Sequence, residues 1–283
     1  MDRGAGAKAL SEELNREQTR TEKGLSRELA GAIHELARTR TLLVALDFDG
    51  TLAPPVDDPI KARAIPEARA AVLRLLALPN TRVALVSGRS LASLEEVSDL
   101  PDHTLLVGSH GVEIRLDSPG DAFSLDTEEI ATVKVLHGVL DDVADSIDDV
   151  WLEKKPAGFA LHTRLATEHN SRVAHLVALS EAQAEIDDLT IREGKDVLEF
   201  SVRSTTKGDA IEHLRAYTGA DAVLFAGDDV TDEDAFAALS PDDLGLKSGD
   251  GATLAAYRVP GPLQVAQVLA LLATYREGGV HEQ

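Results

Sequence analysis

Two aspartates, Asp47 and Asp49, follow directly on the apolar run Leu42 to Leu46 and precede Gly50. Carboxylates two residues apart at the end of a strand point the same way. Such a pair has three readings: a solvated turn, a hard-cation site, or a nucleophile with its acid/base partner. A second acidic group, Asp228-Asp229-Val230-Thr231-Asp232-Glu233-Asp234, places five carboxylates in seven residues. It reads as a helix start, where acidic residues favour the positive dipole end, or as part of a cation site. An EF-hand calcium loop is excluded at both places, because the D-x-[DN]-x-[DN]-G-x5-E spacing is absent. Between the two acidic groups lie Ser87-Gly88-Arg89-Ser90, Ser109-His110-Gly111 and Thr206-Lys207-Gly208-Asp209. A hydroxyl beside backbone N–H groups at a strand-to-helix turn makes a phosphate seat or a plain helix cap. His110 is a substrate contact or a turn residue, and Lys207 opens a helix.

These groups need elements to position them. Leu42 to Leu46 is a fully apolar run, as expected of a parallel strand buried on both faces, and Gly50 lets the chain turn sharply at its carboxyl end. Arg82 to Val86, Leu105 to Gly108 and Val223 to Gly227 repeat the pattern. Helices are expected from Pro66 to Leu78, from Thr206 to about Tyr217 and from Leu263 to Tyr275, with short strands at Leu244 to Lys247 and Tyr257 to Val259. The proline-rich stretch Ala53 to Pro59 is a loop over the site. From about 114 to 199 the pattern changes. Helices near 128–149 and 167–186 alternate with strands at 151–155, 159–164, 189–193 and 196–202, which read as antiparallel. The expected architecture is α/β: a doubly wound parallel-sheet core, 41–113 and 200–283, with an inserted α+β unit, 114–199. Residues 1–40 are expected to form a helical extension that packs one stripe, Leu25, Leu29, Ile33 and Leu36, on the body.

Composition narrows the partners. The chain has 283 residues, 43% of them hydrophobic, enough for two moderate cores. A formal charge of -21 argues against nucleic acid and anionic membranes. An anionic substrate then needs local cations or a metal to overcome the field of the whole molecule. The absence of cysteine excludes disulfides and thiolate metal sites, and with a polar N-terminus the expectation is a cytoplasmic protein.

In a parallel sheet the strand ends bring Asp47, Asp49, Ser87, Lys207, Asp228, Asp229 and Asp232 to one crevice. Clustered carboxylates repel and call for a hard divalent cation; Mg2+ suits one or two carboxylates plus waters and phosphate oxygens. Ser87 and Lys207 supply donors and positive charge for a phosphate. The ensemble implies phosphoryl transfer.

Asp47-Phe48-Asp49-Gly50-Thr51, Ser87, Lys207 and Gly227-Asp228-Asp229 resemble, in order, the four motifs of the haloacid dehalogenase (HAD) superfamily of phosphatases. With Leu52-Ala53-Pro54, Ser87-Gly88-Arg89, Gly108-Ser109-His110-Gly111, Glu153 to Arg164 and Gly227 to Phe236, about residues 42 to 270 resemble the trehalose-6-phosphate phosphatase family. The resemblance implies an Mg2+-dependent phosphatase acting on trehalose 6-phosphate, with Asp47 as nucleophile forming an aspartyl phosphate and Asp49 as acid and base. Asp47, Asp49, Asp228, Asp229 and Asp232 are the implied metal set. Thr51, Ser87, Gly88 and Lys207 are the implied phosphate contacts.

Residues 114–199 would be the cap. By strand alternation Glu153 shares a face with Lys155, His162 with Arg164, and Lys195 with Glu199; a solvated sheet face is the plain alternative. The resemblance makes these residues, with Arg89 and His110, the sugar-binding set. Pro156 stands where the family has a glycine-containing turn, which leaves the register of Lys154 against Lys155 open. Ser204 stands near a family proline, so the hinge is not carried over. The competing functions are a phosphatase for another sugar phosphate, such as sucrose phosphate, and an inactive regulatory or binding protein with the same fold.

Overall fold

The computed structural model describes residues 24–56, 58–117, 125–194 and 196–279. In chain order the elements are α1 (Arg27–Ala37), β1 (Leu42–Leu46), α2 (Pro66–Leu76), β2 (Thr81–Val86), α3 (Leu91–Ser98), β3 (Leu105–Gly108) and β4 (Glu113–Arg115). Then come α4 (Thr127–Ser146), β5 (Trp151–Lys155), β6 (Gly158–His162), α5 (Glu168–Glu185), β7 (Thr190–Gly194) and β8 (Val197–Ser201). The chain closes with α6 (Lys207–Thr218), β9 (Ala222–Gly227), α7 (Asp232–Ala237), β10 (Leu244–Ser248), β11 (Tyr257–Val259) and α8 (Pro262–Gly279).

The larger sheet runs β11-β10-β9-β1-β2-β3-β4, parallel except for β4, an antiparallel edge strand that the sequence pattern does not announce. Its central strand is apolar throughout because both faces are covered. Leu42, Val44 and Leu46 pack on one side with Leu29 and Ile33 of α1, Val72 of α2 and Leu269 of α8. Leu43 and Ala45 pack on the other with Ile211 and Leu214 of α6 and Phe236 of α7. The helix α1 therefore docks one stripe on the body, and Ser26 caps its start by accepting from the Leu29 N–H at 3.1 Å. Residues 1–23 of the expected extension lie outside the described residues.

The smaller sheet, β5-β6-β8-β7, is antiparallel throughout. On one face Phe159, Leu161, Leu198 and Phe200 pack against α4 and α5. Ala174, Ala178 and Ala182 recur every fourth residue on α5, so its backbone lies close to the sheet. The register Glu153↔Ala160↔Glu199↔Arg192 puts four residues in one row on the opposite face. Trp151 lies opposite His162 on that same face.

One strand is shorter than its pattern. β6 ends at His162, where the Thr163 N–H donates to the Asp196 carbonyl and the Ala166 N–H to the Thr163 carbonyl. That turn breaks the two-residue alternation. Arg164 consequently lies exposed outside the strand and does not share a face with His162. No described helix is long and apolar enough to cross a membrane.

Candidate active site

Parallel register pairs Leu46 with both Leu85 and Ala226, so β1, β2 and β9 end side by side. Asp47, Ser87 and Asp228 follow these ends and line one cavity of about 570 Å³. Asp49, Gly88, Arg89, His110, Lys207 and Asp229 line it from the larger sheet, and Glu153, Lys155 and His162 from the smaller one.

At its base, Lys207 is a buried ammonium between two buried carboxylates, 2.7 Å from Asp47 Oδ1 and 2.6 Å from Asp232 Oδ1. The capping box of Thr206 and Asp209 starts α6 at this point and aims Lys207 inward. Asp232 is fully buried, and its Oδ2 accepts from the Asp228 and Asp229 N–H groups, both at 2.8 Å. It thus shapes the β9 turn from below. Burial lowers the affinity of Lys207 for its proton, but Asp47 and Asp232 outweigh that and push its pKa up. The same crowding leaves negative charge uncompensated. Burial, with Asp232 and Asp228 overcoming the attraction of Lys207, pushes Asp47 up to about 8. Burial, with Asp232 and Asp229, pushes Asp228 up to about 6. Among the described residues the Asp228 carboxylate has no hydrogen-bond donor and no ion-pair partner.

Oxygens of Asp47, Asp228 and Asp232 lie within 4.8 Å of one another. One ammonium cannot neutralise three carboxylates, and an all-oxygen donor set with an unpartnered member fits a hard divalent cation. Gly50 makes the convergence possible. Its φ is +76°, and a Cβ there would lie 1.9 Å from Asp228 Oδ2. The Ser248 hydroxyl fixes the same turn by donating to the Gly50 carbonyl at 2.7 Å.

Arg89 does not reach freely into the cavity as a substrate contact. Nε and Nη2 grip Asp49 at 2.5 and 2.8 Å, while Nη1 donates to the Pro59 carbonyl and the Ser93 hydroxyl. Gly88 leaves room for His110, since a Cβ there would lie 2.6 Å from the imidazole. Ser109 and His110 are both left-handed, with φ of +48° and +55°, a region that residues with a Cβ rarely adopt. Burial, reinforced by Lys207, Arg192 and Lys155, holds His110 down to about 3, so its ring is neutral. Its buried Nδ1 has no hydrogen-bond partner among the described residues.

Across the cavity, Glu153 accepts from Lys155 Nζ at 2.6 Å and from His162 Nε2 at 2.8 Å. Lys155, and not Lys154, faces the site. Glu199 does not line the cavity, but it lies in the same row as Glu153 with only Ala160 between them. Burial pushes its carboxyl up, although Lys155 and Arg192 oppose the shift. The remaining expectations fall elsewhere. Thr51 is fully buried, its hydroxyl has no hydrogen-bond partner among the described residues, and it does not line the cavity. Arg164 is exposed in its turn, and Lys195 lies outside the described residues. Asp229 lines the cavity while its own carboxylate accepts from the Val230 N–H.

Two contributors carry no sequence signal. Lys247 is 3% exposed and ties the Asp229 carbonyl to Glu233, at 3.1 and 3.3 Å. Its strand β10 reads as an ordinary short strand, Leu-Gly-Leu followed by the polar Lys247 and Ser248. Arg192 donates to the Thr205 carbonyl at 2.7 Å, linking the smaller sheet to the segment before Lys207. Its parity with Glu199 becomes visible only once the strands are paired.

The family profile described as Trehalose-phosphatase matches residues 45–255. The chain is 34% identical, over 98% of its length and 75% of the relative's, to a trehalose-phosphate phosphatase of Mycobacterium avium. In fold it is similar to the C-terminal domain of Candida albicans trehalose-6-phosphate phosphatase, with a TM-score of 0.69 at 21% identity, covering 90% of this chain and 97% of that one. A haloacid dehalogenase-like hydrolase from B. subtilis shares the fold with a TM-score of 0.52 at 14% identity, covering 81% and 98%.

Proposed function

The chain belongs to the trehalose-phosphatase family, and on that premise we propose that it hydrolyses trehalose 6-phosphate to trehalose and phosphate, a step of trehalose biosynthesis, with Asp47 as nucleophile. The observation that carries this reading is one cavity bounded by Asp47 and Asp49 on one side and by Glu153, Lys155 and His162 on the other. A phosphoryl end and a sugar end are thereby served by different sheets. The smaller sheet with α4 and α5, residues 127–201, acts as the cap on this reading; the expected span 114–199 shifts because residues 114–115 belong to β4 of the larger sheet and β8 runs on to Ser201. The protein works in the cytoplasm.

Lys207 engages Asp47 Oδ1, which leaves the other oxygen to attack phosphorus. As the P–O bond to the sugar breaks, Asp49 gives its proton to the departing sugar oxygen. The Asp49 carboxylate then takes a proton from water, whose oxygen attacks the aspartyl phosphate; phosphate leaves and Asp47 is restored. Arg89 holds Asp49 in its place between these steps. Ser87 and Lys207 donate to the phosphoryl oxygens. Asp47 and Asp228, with the main-chain carbonyl of Asp49, would hold Mg2+. When bound it supplies charge neutralisation for the transferring phosphoryl group.

Phosphate release from trehalose 6-phosphate, sucrose phosphate, glucose 6-phosphate and p-nitrophenyl phosphate, each with and without Mg2+, tests the reading. The highest kcat/KM is expected on trehalose 6-phosphate with Mg2+. Equal turnover of sucrose phosphate would overturn the substrate, and no release from any member would overturn the activity.

A further inference from the structure

Trp151 is the one tryptophan in the 283 residues, and it is not part of a core. It is 39% exposed, while the smaller sheet's packed face is built from Phe159, Leu161, Leu198 and Phe200. Its register partner across β5 and β6 is His162. The two rings are stacked, with centroids 5.0 Å apart and planes within 11°. His162 lines the cavity, and its Nε2 donates to Glu153 at 2.8 Å.

Stacking of this kind restricts the imidazole. Rotation of the His162 ring about its terminal torsion is broad when nothing faces it. A parallel indole against one face removes that freedom and fixes where Nε2 points. Glu153 depends on that nitrogen, because among the described residues its other donor is Lys155 at 2.6 Å. Burial does not account for the tryptophan, since a large part of the indole remains in water. An exposed large aromatic on the polar face of the smaller sheet contributes through what it faces, and it faces His162.

We propose that Trp151 is a positioning residue for sugar recognition: through the stacked His162 it holds the Glu153 carboxylate in the orientation that meets the sugar hydroxyls. The proposal rests on the reading of the preceding subsection that Glu153 and its neighbours contact the sugar. Trp151 touches neither the phosphoryl group nor Asp47, so its effect belongs in KM and in substrate discrimination. The ring pair is worth about 3-fold to 10-fold in affinity, the range of an aromatic contact beyond its buried area.

The test compares kinetics of the full chain with Mg2+ on trehalose 6-phosphate and on p-nitrophenyl phosphate. Trp151→Ala is expected to raise KM for the sugar phosphate by about 3-fold to 10-fold more than for the aryl phosphate, with kcat nearly kept. Trp151→Phe, which retains a flat ring, is expected to recover most of the loss. In the double variant with His162→Ala, the Trp151→Ala loss is expected to vanish, because the ring it positions is gone. Trp151 emission adds a direct readout. In the Asp47→Asn protein it is expected to change on adding trehalose 6-phosphate and not on adding inorganic phosphate. Equal losses on both substrates, additive losses in the double variant, or no recovery by Phe would each overturn the proposal. A parent enzyme that does not prefer the sugar phosphate would instead overturn the reading beneath it, and that result is seen before any variant is made.

Discussion

Arg89 and Asp49, forty positions apart in the chain, form a two-pronged ion pair, Nε to Oδ2 at 2.5 Å and Nη2 to Oδ1 at 2.8 Å. The arginine comes from the turn after β2 and the aspartate from the turn after β1, and only the parallel pairing of those strands brings them together. The planar fork fixes the plane of the carboxylate, which a single ammonium does not. Arg89→Lys is therefore expected to lower kcat on trehalose 6-phosphate by about 10-fold, the loss of one charge-assisted hydrogen bond, with a smaller change in KM. An Arg89→Lys enzyme with parental kcat would return Arg89 to a purely structural role.

Lys207 faces the strongest local demand. Replacing it by methionine keeps the stem but leaves Asp47 and Asp232 buried without their shared ammonium, so unfolding by denaturant should show a loss of about 3–5 kcal/mol. Activity should disappear with it. A Lys207→Met protein as stable as the parent would mean that Asp47 and Asp232 do not depend on this pair.

Asp228 makes the opposite prediction for stability. Its carboxylate is pushed up to about 6, by burial first and then by Asp232 and Asp229, and nothing among the described residues donates to it. In excess chelator, Asp228→Asn should raise Tm, because it removes an uncompensated charge. With Mg2+ present the same variant should be inactive, while the parent loses activity in chelator and regains it on adding Mg2+. Full parental turnover in chelator would exclude the metal reading.

Glu153 links pH to the integrity of the smaller sheet's polar face. The His162 hydrogen bond, helped by Lys155 and opposed by burial, holds its carboxyl down to about 2 from an ordinary 4.5. A carboxyl lowered on folding contributes stability that is fully present above pH 4.5 and is lost as pH falls through 2. The Tm difference between the parent and Glu153→Gln should therefore be largest above pH 4.5 and shrink across the interval down to 2. A difference independent of pH over that range would show that the ion pair contributes nothing to folding. The group is half exposed, so the effect is expected to weaken with added salt.

The core and its chemistry were legible along the chain because their signals are local. A strand buried on both faces has to be apolar throughout, as Leu42 to Leu46 is, and a turn that must pass close to another carboxylate has to be Gly50. The residues that follow the strand ends, Asp47, Ser87 and Asp228, share a crevice in any parallel sheet that pairs β1 with β2 and β9. Strand alternation likewise predicted that Glu153 and Lys155 share a face. The resemblance of the ordered motifs added the family, since the same local groups recur at those places.

What each side chain holds was decided only by tertiary structure. Alternation assigned Arg164 to the face of His162, but β6 ends at His162 and the turn through Thr163 points the arginine to solvent. Asp232 and Asp228 look alike in an acidic run. The fold buries the first against Lys207 and two N–H groups, and among the described residues gives the second no donor. Arg89 reads as a substrate contact until the Asp49 carboxylate meets it from the neighbouring turn. The Trp151 stack needs β5 and β6 paired in one register, and the Lys247 contacts need β10 laid beside β9. A hydrogen-bond partner far away in the chain is set by where strands and turns meet, and spacing along the sequence carries no record of that meeting.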